Sequence, residues 1–345
     1  MKTEQKYIGN TNQLFEVKNY RFCGGKADGI LGTDVDNGTG LRFSVLADRC
    51  MDLYKVSYKG INTSFLSSVG AVAPTYFDEH GMGMFKSFAP GFLTTCGLQN
   101  IGSPCICDGK EYGLHGNIGN CPADRYCTLV SDEGDAVTLQ GTMQEGQMFA
   151  ENLTLNRSIS CAYGKDEIVL TDRICNNGYR DSALSLLYHI NIGYPLLSPH
   201  TLLILPTRKV VARDTYAALH QNEYNVITTP KDNQPEMCYY HTLKKDSDGQ
   251  TLVGAYEPTL KIGFYVTFST AFLNHFVQWK SMGSGEYVLG LEPCSCTIEG
   301  CNHAREDGTL QHLAKGASLT NTLHFTWFCG DDAYEELVRR INTFL

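Results

Sequence analysis

The sequence predicts an all-β protein: one large domain of packed sheets, spanning residues 1–345 and closed by a C-terminal helix. Three observations carry that expectation. Short segments alternate apolar and polar residues with a period of two, Gly/Asn/Asp clusters punctuate them, and helical periodicity is scarce until the last residues.

The alternation is clearest in LRFSVLAD, where Leu41, Phe43, Val45 and Ala47 share one face. In KIGFYVTFS, Ile262, Phe264, Val266 and Phe268 do the same. DEGD, CNNG, DSDG and EDG read as turns between such strands. The final DDAYEELVRRINTFL puts Tyr334, Leu337, Val338, Ile341 and Leu345 on one stripe, with Asp331 or Asp332 placed to cap it. This pattern points to packed sheets rather than a doubly wound fold.

Bulk composition narrows the function classes. The 345-residue chain is 42% hydrophobic and 19% charged, enough apolar material for a large core. Its net charge of −9 disfavours nucleic acid and anionic lipid as partners, because both need a basic surface. The N-terminal MKTEQKYIGNTNQLFEVKNY has no apolar signal core and no run is long enough to span a bilayer, so a cytoplasmic location is expected. Fourteen cysteines then read mainly as small buried hydrophobes. Cys105-x-Cys107 and Cys294-x-Cys296, with Cys301 beyond, leave a zinc site as the minority reading, since structural zinc favours wider ligand spacing. GFLTTCGLQNIG is glycine-rich but lacks the Lys-Ser/Thr of a phosphate loop, and nothing marks Cys96 as a nucleophile.

Three polar clusters interrupt apolar strands. His115 sits in YGLHGN. In SLLYHINIGYP, alternation projects His189 and Asn191 together, away from Leu186, Tyr188 and Ile190. In YVLGLEPCSC, Val288, Gly290 and Glu292 share a face, and a carboxylate there must be paired, hydrogen-bonded or used. Each has an ordinary reading as a satisfied core or rim residue, and together they also fit a His/Glu acid–base pocket.

The order of these pieces resembles the galactose mutarotase (aldose 1-epimerase) superfamily, and in particular an uncharacterised aldose 1-epimerase-like branch. The matching stretches are ADRCMDL, GFLTTCGLQNIGSP, DGKEYGLHGNIGNCPA, the strand with H-x-N and YVLGLEP, spread over about residues 40–330. The resemblance implies a large β-sandwich (a galactose mutarotase-like supersandwich) with a small-molecule carbohydrate bound across a concave sheet. It implies a mechanism without cofactor or metal, in which Glu292 is the base, His189 the acid and His115 a second pocket histidine. Members usually carry Asn-Arg in the turn before the LHG strand, whereas here Asn100 is followed by Ile101. Arg49 is a candidate to supply the guanidinium from elsewhere, and Asp214 a candidate, by position in the chain, for a sugar-binding aspartate. Asn191, Gln99, Asn100, Arg157 and Trp279 are candidate contacts to the sugar, Trp279 as stacking platform or core. Gly91, Gly97 and Gly102 are expected to turn the chain into the sheet.

The expected function is therefore anomer interconversion of an aldose or modified aldose by Glu/His acid–base ring opening. One alternative is a lyase or isomerase acting on an oxidised sugar, with a metal assisting. Another is a non-catalytic sugar-binding protein. A retaining glycosidase fits less well, because it needs a second nearby carboxyl.

Overall fold

The computed structural model describes residues 4–345; the first three residues of the N-terminal stretch read above lie outside them. The alternating segments are strands. LRFSVLAD supplies Leu41–Leu46 and KIGFYVTFS supplies Ile262–Ser269, whose Ile262, Phe264, Val266 and Phe268 all enter the main core.

Three antiparallel sheets share that core. Residues 16–62 form a five-stranded meander in chain order. An eight-stranded sheet runs from Leu202–Ile204 at one edge to Asp124–Val130 at the other, with Ser318–Cys329 and Glu167–Asn176 at its centre. The seven-stranded sheet orders Thr207–Ala212, Met237–Leu243, His275–Gly283, Glu286–Cys294, Ser182–Ile192 and Gln311–Leu313, and Leu93–Leu98 also pairs with Ser182–Ile192.

The two faces of the seven-stranded sheet differ, and strand parity sets the difference. Tyr188, Ile190, Leu289, Leu291 and Phe276 point into the main core. Their neighbours Leu187, Val277 and Cys294 point the other way, into a smaller cluster with Cys96, Cys107, Cys238 and Cys301. His189 and Glu292 lie on this second face. A sheet with one face fully committed to the core is a rigid platform for polar groups on the other.

The C-terminal helix spans Asp331–Asn342, and Leu337 and Phe344 anchor it against Tyr256 and Phe328. Two details of the expectation are corrected. Gly330 occupies the cap position, so Asp331 sits inside the first turn and instead accepts a hydrogen bond from the Tyr256 hydroxyl at 2.5 Å. The helix also stops before Leu345, which is exposed, and Phe344 takes the buried place. Among the described residues no helix is long and apolar enough to cross a membrane.

Candidate active site

The pairs Leu187↔Cys294 and Ile190↔Leu291 bracket His189 and Glu292, which therefore fall opposite one another on adjacent strands. His189 Nε2 lies 3.3 Å from Glu292 Oε1, and both side chains are almost wholly buried. Gly290 makes this possible. A Cβ there would come within 2.5 Å of Glu292 Oε1 and 3.0 Å of Trp279 Cβ, so a side chain would push the carboxylate off the histidine.

Three rings surround His189 edge-on: Trp279 at 5.3 Å, His115 at 5.6 Å and Phe88 at 5.7 Å between centroids. Together with Glu292 they line a cleft of about 150 Å³. A cavity of that order holds one six-membered ring. Met82, Met84 and Phe85, from the turn around Gly83–Lys86, also line the cleft; Ser103, Arg213, Glu236 and Cys238 complete its polar wall.

His115 is fixed by its backbone. Its φ of 60° is left-handed, and its N–H donates to Gly102 O at 2.9 Å while Gly102 N–H donates back to His115 Nδ1 at 3.2 Å. Nδ1 is thus an acceptor, and the neutral ring carries its proton on Nε2. Gly102, at φ 73°, must be glycine, since a Cβ would sit 1.9 Å from Ile298 O. Burial, helped by the positive charge of Arg213, lowers the His115 pKa to about 4. His115 is therefore a neutral hydrogen-bond donor near pH 7.

That shift has a sign for stability. The folded pKa lies below the ordinary 6.5, so the unfolded chain binds the proton first as pH falls. The His115 contribution is complete above about pH 6.5 and is lost as pH drops through about 4. His115→Asn, a residue that tolerates left-handed φ, is expected to flatten the acid-side fall in unfolding free energy between those values. Urea titrations at a series of pH values measure it; an unchanged slope counts against a buried neutral His115.

His189 and Glu292 are shifted in opposite directions. Burial, reinforced by the Glu236 carboxylate, raises Glu292 well above the carboxylate range, while Arg213 opposes the rise. Burial and neighbouring His115 lower His189, and the Asn191 side chain is the group that favours its protonated form. Both directions favour the uncharged forms, with the proton on the carboxyl. Moving it to the imidazole gives a carboxylate and an imidazolium without changing the net charge.

Of the residues nominated from sequence, Glu292, His189, His115 and Trp279 line the cleft. Trp279 is half-buried, and its Nε1–H donates to Glu236 Oε2 at 2.7 Å. Asn191 shares the His189 face but is covered: its amide donates to His189 O at 2.8 Å and Pro90 O at 3.3 Å. The remaining nominations do not line this cleft. Arg49 turns its guanidinium to the carbonyls of Val72, Ser87 and Gly119, tying down the chain on both sides of Gly83–Lys86. Gln99 ties to Ala183 O and Ser182 Oγ. Asn100 bridges Gly113 O, Ser103 O and Cys301 N–H. Arg157 is buried in an ion-pair network with Asp172 and Asp52. Asp214 caps the helix Thr215–Leu219 through Ala217 N–H.

The guanidinium in the cleft is Arg213, one residue before the nominated aspartate. It is held by Glu299 at 2.8 and 3.1 Å and donates to Ser103 Oγ at 2.8 Å, while Tyr240 braces Glu299. Sequence reading also missed Glu236. Both sit just outside strands, Arg213 after Thr207–Ala212 and Glu236 before Met237–Leu243, where no periodicity marks which way a side chain faces. The cysteines in both C-x-C pairs are free thiols, and among the described residues no group of three or more His, Cys, Asp or Glu is arranged to hold a metal ion.

Comparison with solved structures places the fold. An inferred aldose 1-epimerase from Klebsiella pneumoniae superposes with a TM-score of 0.91 at 23% identity, covering 96% of this chain and 90% of that one. A galactose mutarotase-like protein from Clostridium acetobutylicum gives 0.69 at 13% identity over 92% of this chain and 100% of the other. A galactose 1-epimerase from Lactobacillus acidophilus NCFM gives 0.59 at 11% identity, covering 92% and 99%. Among curated proteins, none matches the chain in sequence. With residues 27–326 matching its model, the chain belongs to the family described as "Domain of unknown function (DUF4432)", and it is built on the galactose mutarotase-like sandwich fold.

Proposed function

We propose that the protein interconverts the anomers of an aldose, with Glu292 as base and His189 as acid. The observation that supports this most is the buried His189–Glu292 pair at 3.3 Å on the wall of a cleft sized for one sugar ring.

The chemistry follows from the pair. Carboxylate Glu292 takes the proton from the anomeric hydroxyl as C1=O forms and the bond from C1 to the ring oxygen breaks. His189 Nε2–H delivers its proton to that oxygen as it leaves. The open-chain aldehyde then faces a protonated Glu292 and a neutral His189, the protonation state that burial already favours. Rotation about C1–C2 presents the other carbonyl face, and the steps reverse. His115 Nε2–H and Arg213 donate to sugar oxygens, and Trp279 offers an aromatic face to ring C–H groups. Fourteen free cysteines suit a reducing, cytoplasmic setting.

Reaction in D2O separates this reading from a lyase or isomerase that removes a carbon-bound proton. Enzyme-dependent anomer exchange is expected with no deuterium on carbon, because only oxygen-bound protons move. Deuterium appearing beside the carbonyl carbon, at a rate set by enzyme concentration, would replace the anomer reading with the carbon-acid one.

A further inference from the structure

The cleft does not end at the reacting pair. Phe85, Phe88, Glu236 and Trp279 line it and also form a wall of a second chamber of about 540 Å³. The inner space, near 150 Å³, accommodates one ring. A reducing sugar must place C1 inside, against Glu292 and His189. Whatever it carries on its far hydroxyls passes Phe85 and Trp279 into the second chamber.

The lining of that chamber has a chemical character. Aromatic side chains come from Phe65, Phe85, Phe88 and Trp279, and hydrogen-bonding groups from Ser68, Gln234 and Ser281. Aromatic faces with scattered hydroxyl and amide groups suit a ring that shows C–H on its faces and O–H on its rim. The charge is one-sided: among the described residues Glu236 and Glu286 line the chamber and no Lys or Arg does. A phosphate or carboxylate substituent would meet two carboxylates without a cation, so an uncharged group fits and an acidic one is repelled.

We infer that the second chamber is a subsite for a neutral glycosyl residue, so that the preferred substrate is a reducing disaccharide or longer oligosaccharide rather than a free monosaccharide. The inference rests on the anomer-interconversion reading and names its substrate class. Contacts to this remote ring raise kcat/KM by adding binding energy away from the reacting centre.

Anomer exchange by magnetisation-transfer NMR tests it with lactose and cellobiose against galactose, glucose and glucose 6-phosphate. A disaccharide is expected to exceed its monosaccharide in kcat/KM by about tenfold or more, with the phosphorylated sugar poorest. Ser68→Trp, an exposed loop substitution that narrows the chamber, is expected to bring the disaccharide-to-monosaccharide ratio close to one. Equal acceleration of both sugar classes, or preference for the phosphate, overturns the subsite and leaves the anomer reading standing. No acceleration of any sugar overturns both. The wild-type comparison requires no variant, so a folding failure of Ser68→Trp leaves the test intact.

Discussion

Glu292→Gln is expected to lower kcat for anomer exchange by about 10²–10⁴-fold while leaving sugar binding largely in place. The substitution keeps the shape of the side chain and its ability to hydrogen-bond a hydroxyl, and removes the proton acceptor. The site has no ready substitute. Glu236 is turned to Trp279 Nε1, and the carboxylate of Glu299 is held by Arg213 and Tyr240. The variant also tests the proton inventory of the pair. In wild type the shifts favour an uncharged carboxyl beside an uncharged imidazole, whereas Gln leaves His189 without a carboxyl partner. Initial-rate measurements on an accelerated sugar would show a loss in kcat with KM little changed. A variant that exchanges anomers as fast as wild type would remove Glu292 from the mechanism, and the fold alone would then say nothing of which groups react.

The second large effect is on stability. Arg157 was a candidate sugar contact by sequence, but all five of its N–H donors find acceptors inside the protein. They reach Asp172 twice, Asp52, Cys50 O and Thr95 Oγ1, at 2.6–2.9 Å. Tyr188 donates to the same Asp172 at 2.8 Å. Arg157→Met fills similar volume but strands two carboxylates in the core, and breaking such a buried network costs about 3–5 kcal/mol. Urea unfolding is expected to show that loss. If Arg157 instead held substrate, the variant would keep its stability and raise KM, and the network would be no more than a resting arrangement.

Legibility in the sequence followed what strand parity can and cannot say. Parity put Leu41, Phe43, Ile262 and Phe264 in the core and His189 and Glu292 on the opposite face. Parity does not say what covers a face. Asn191 sits on the His189 face under Pro90, and Gln99, Asn100 and Arg157 are polar residues in apolar settings that pin backbone or balance charge in place. From sequence such residues look the same as pocket residues, because burial demands hydrogen-bond partners in either case. Arg213 and Glu236 escaped for the converse reason: they lie in irregular chain, and only the assembled sheet brings them beside Glu292. The departure at Ile101 was real, and Arg49 turns its guanidinium to the carbonyls of Val72, Ser87 and Gly119 while Arg213 lines the cleft. At the C-terminus, a glycine at φ 92° supplied the helix entry that the acidic pair beside it was expected to provide.

The proposed activity is the opening and reclosing of a sugar ring at C1 in this cleft. Magnetisation transfer between the two anomeric protons, measured with the wild-type protein across neutral reducing sugars, addresses it most directly. The expected result is an exchange rate above the spontaneous one that scales with protein concentration for at least one sugar. A folded protein that leaves every anomeric pair at its spontaneous rate would contradict the claim.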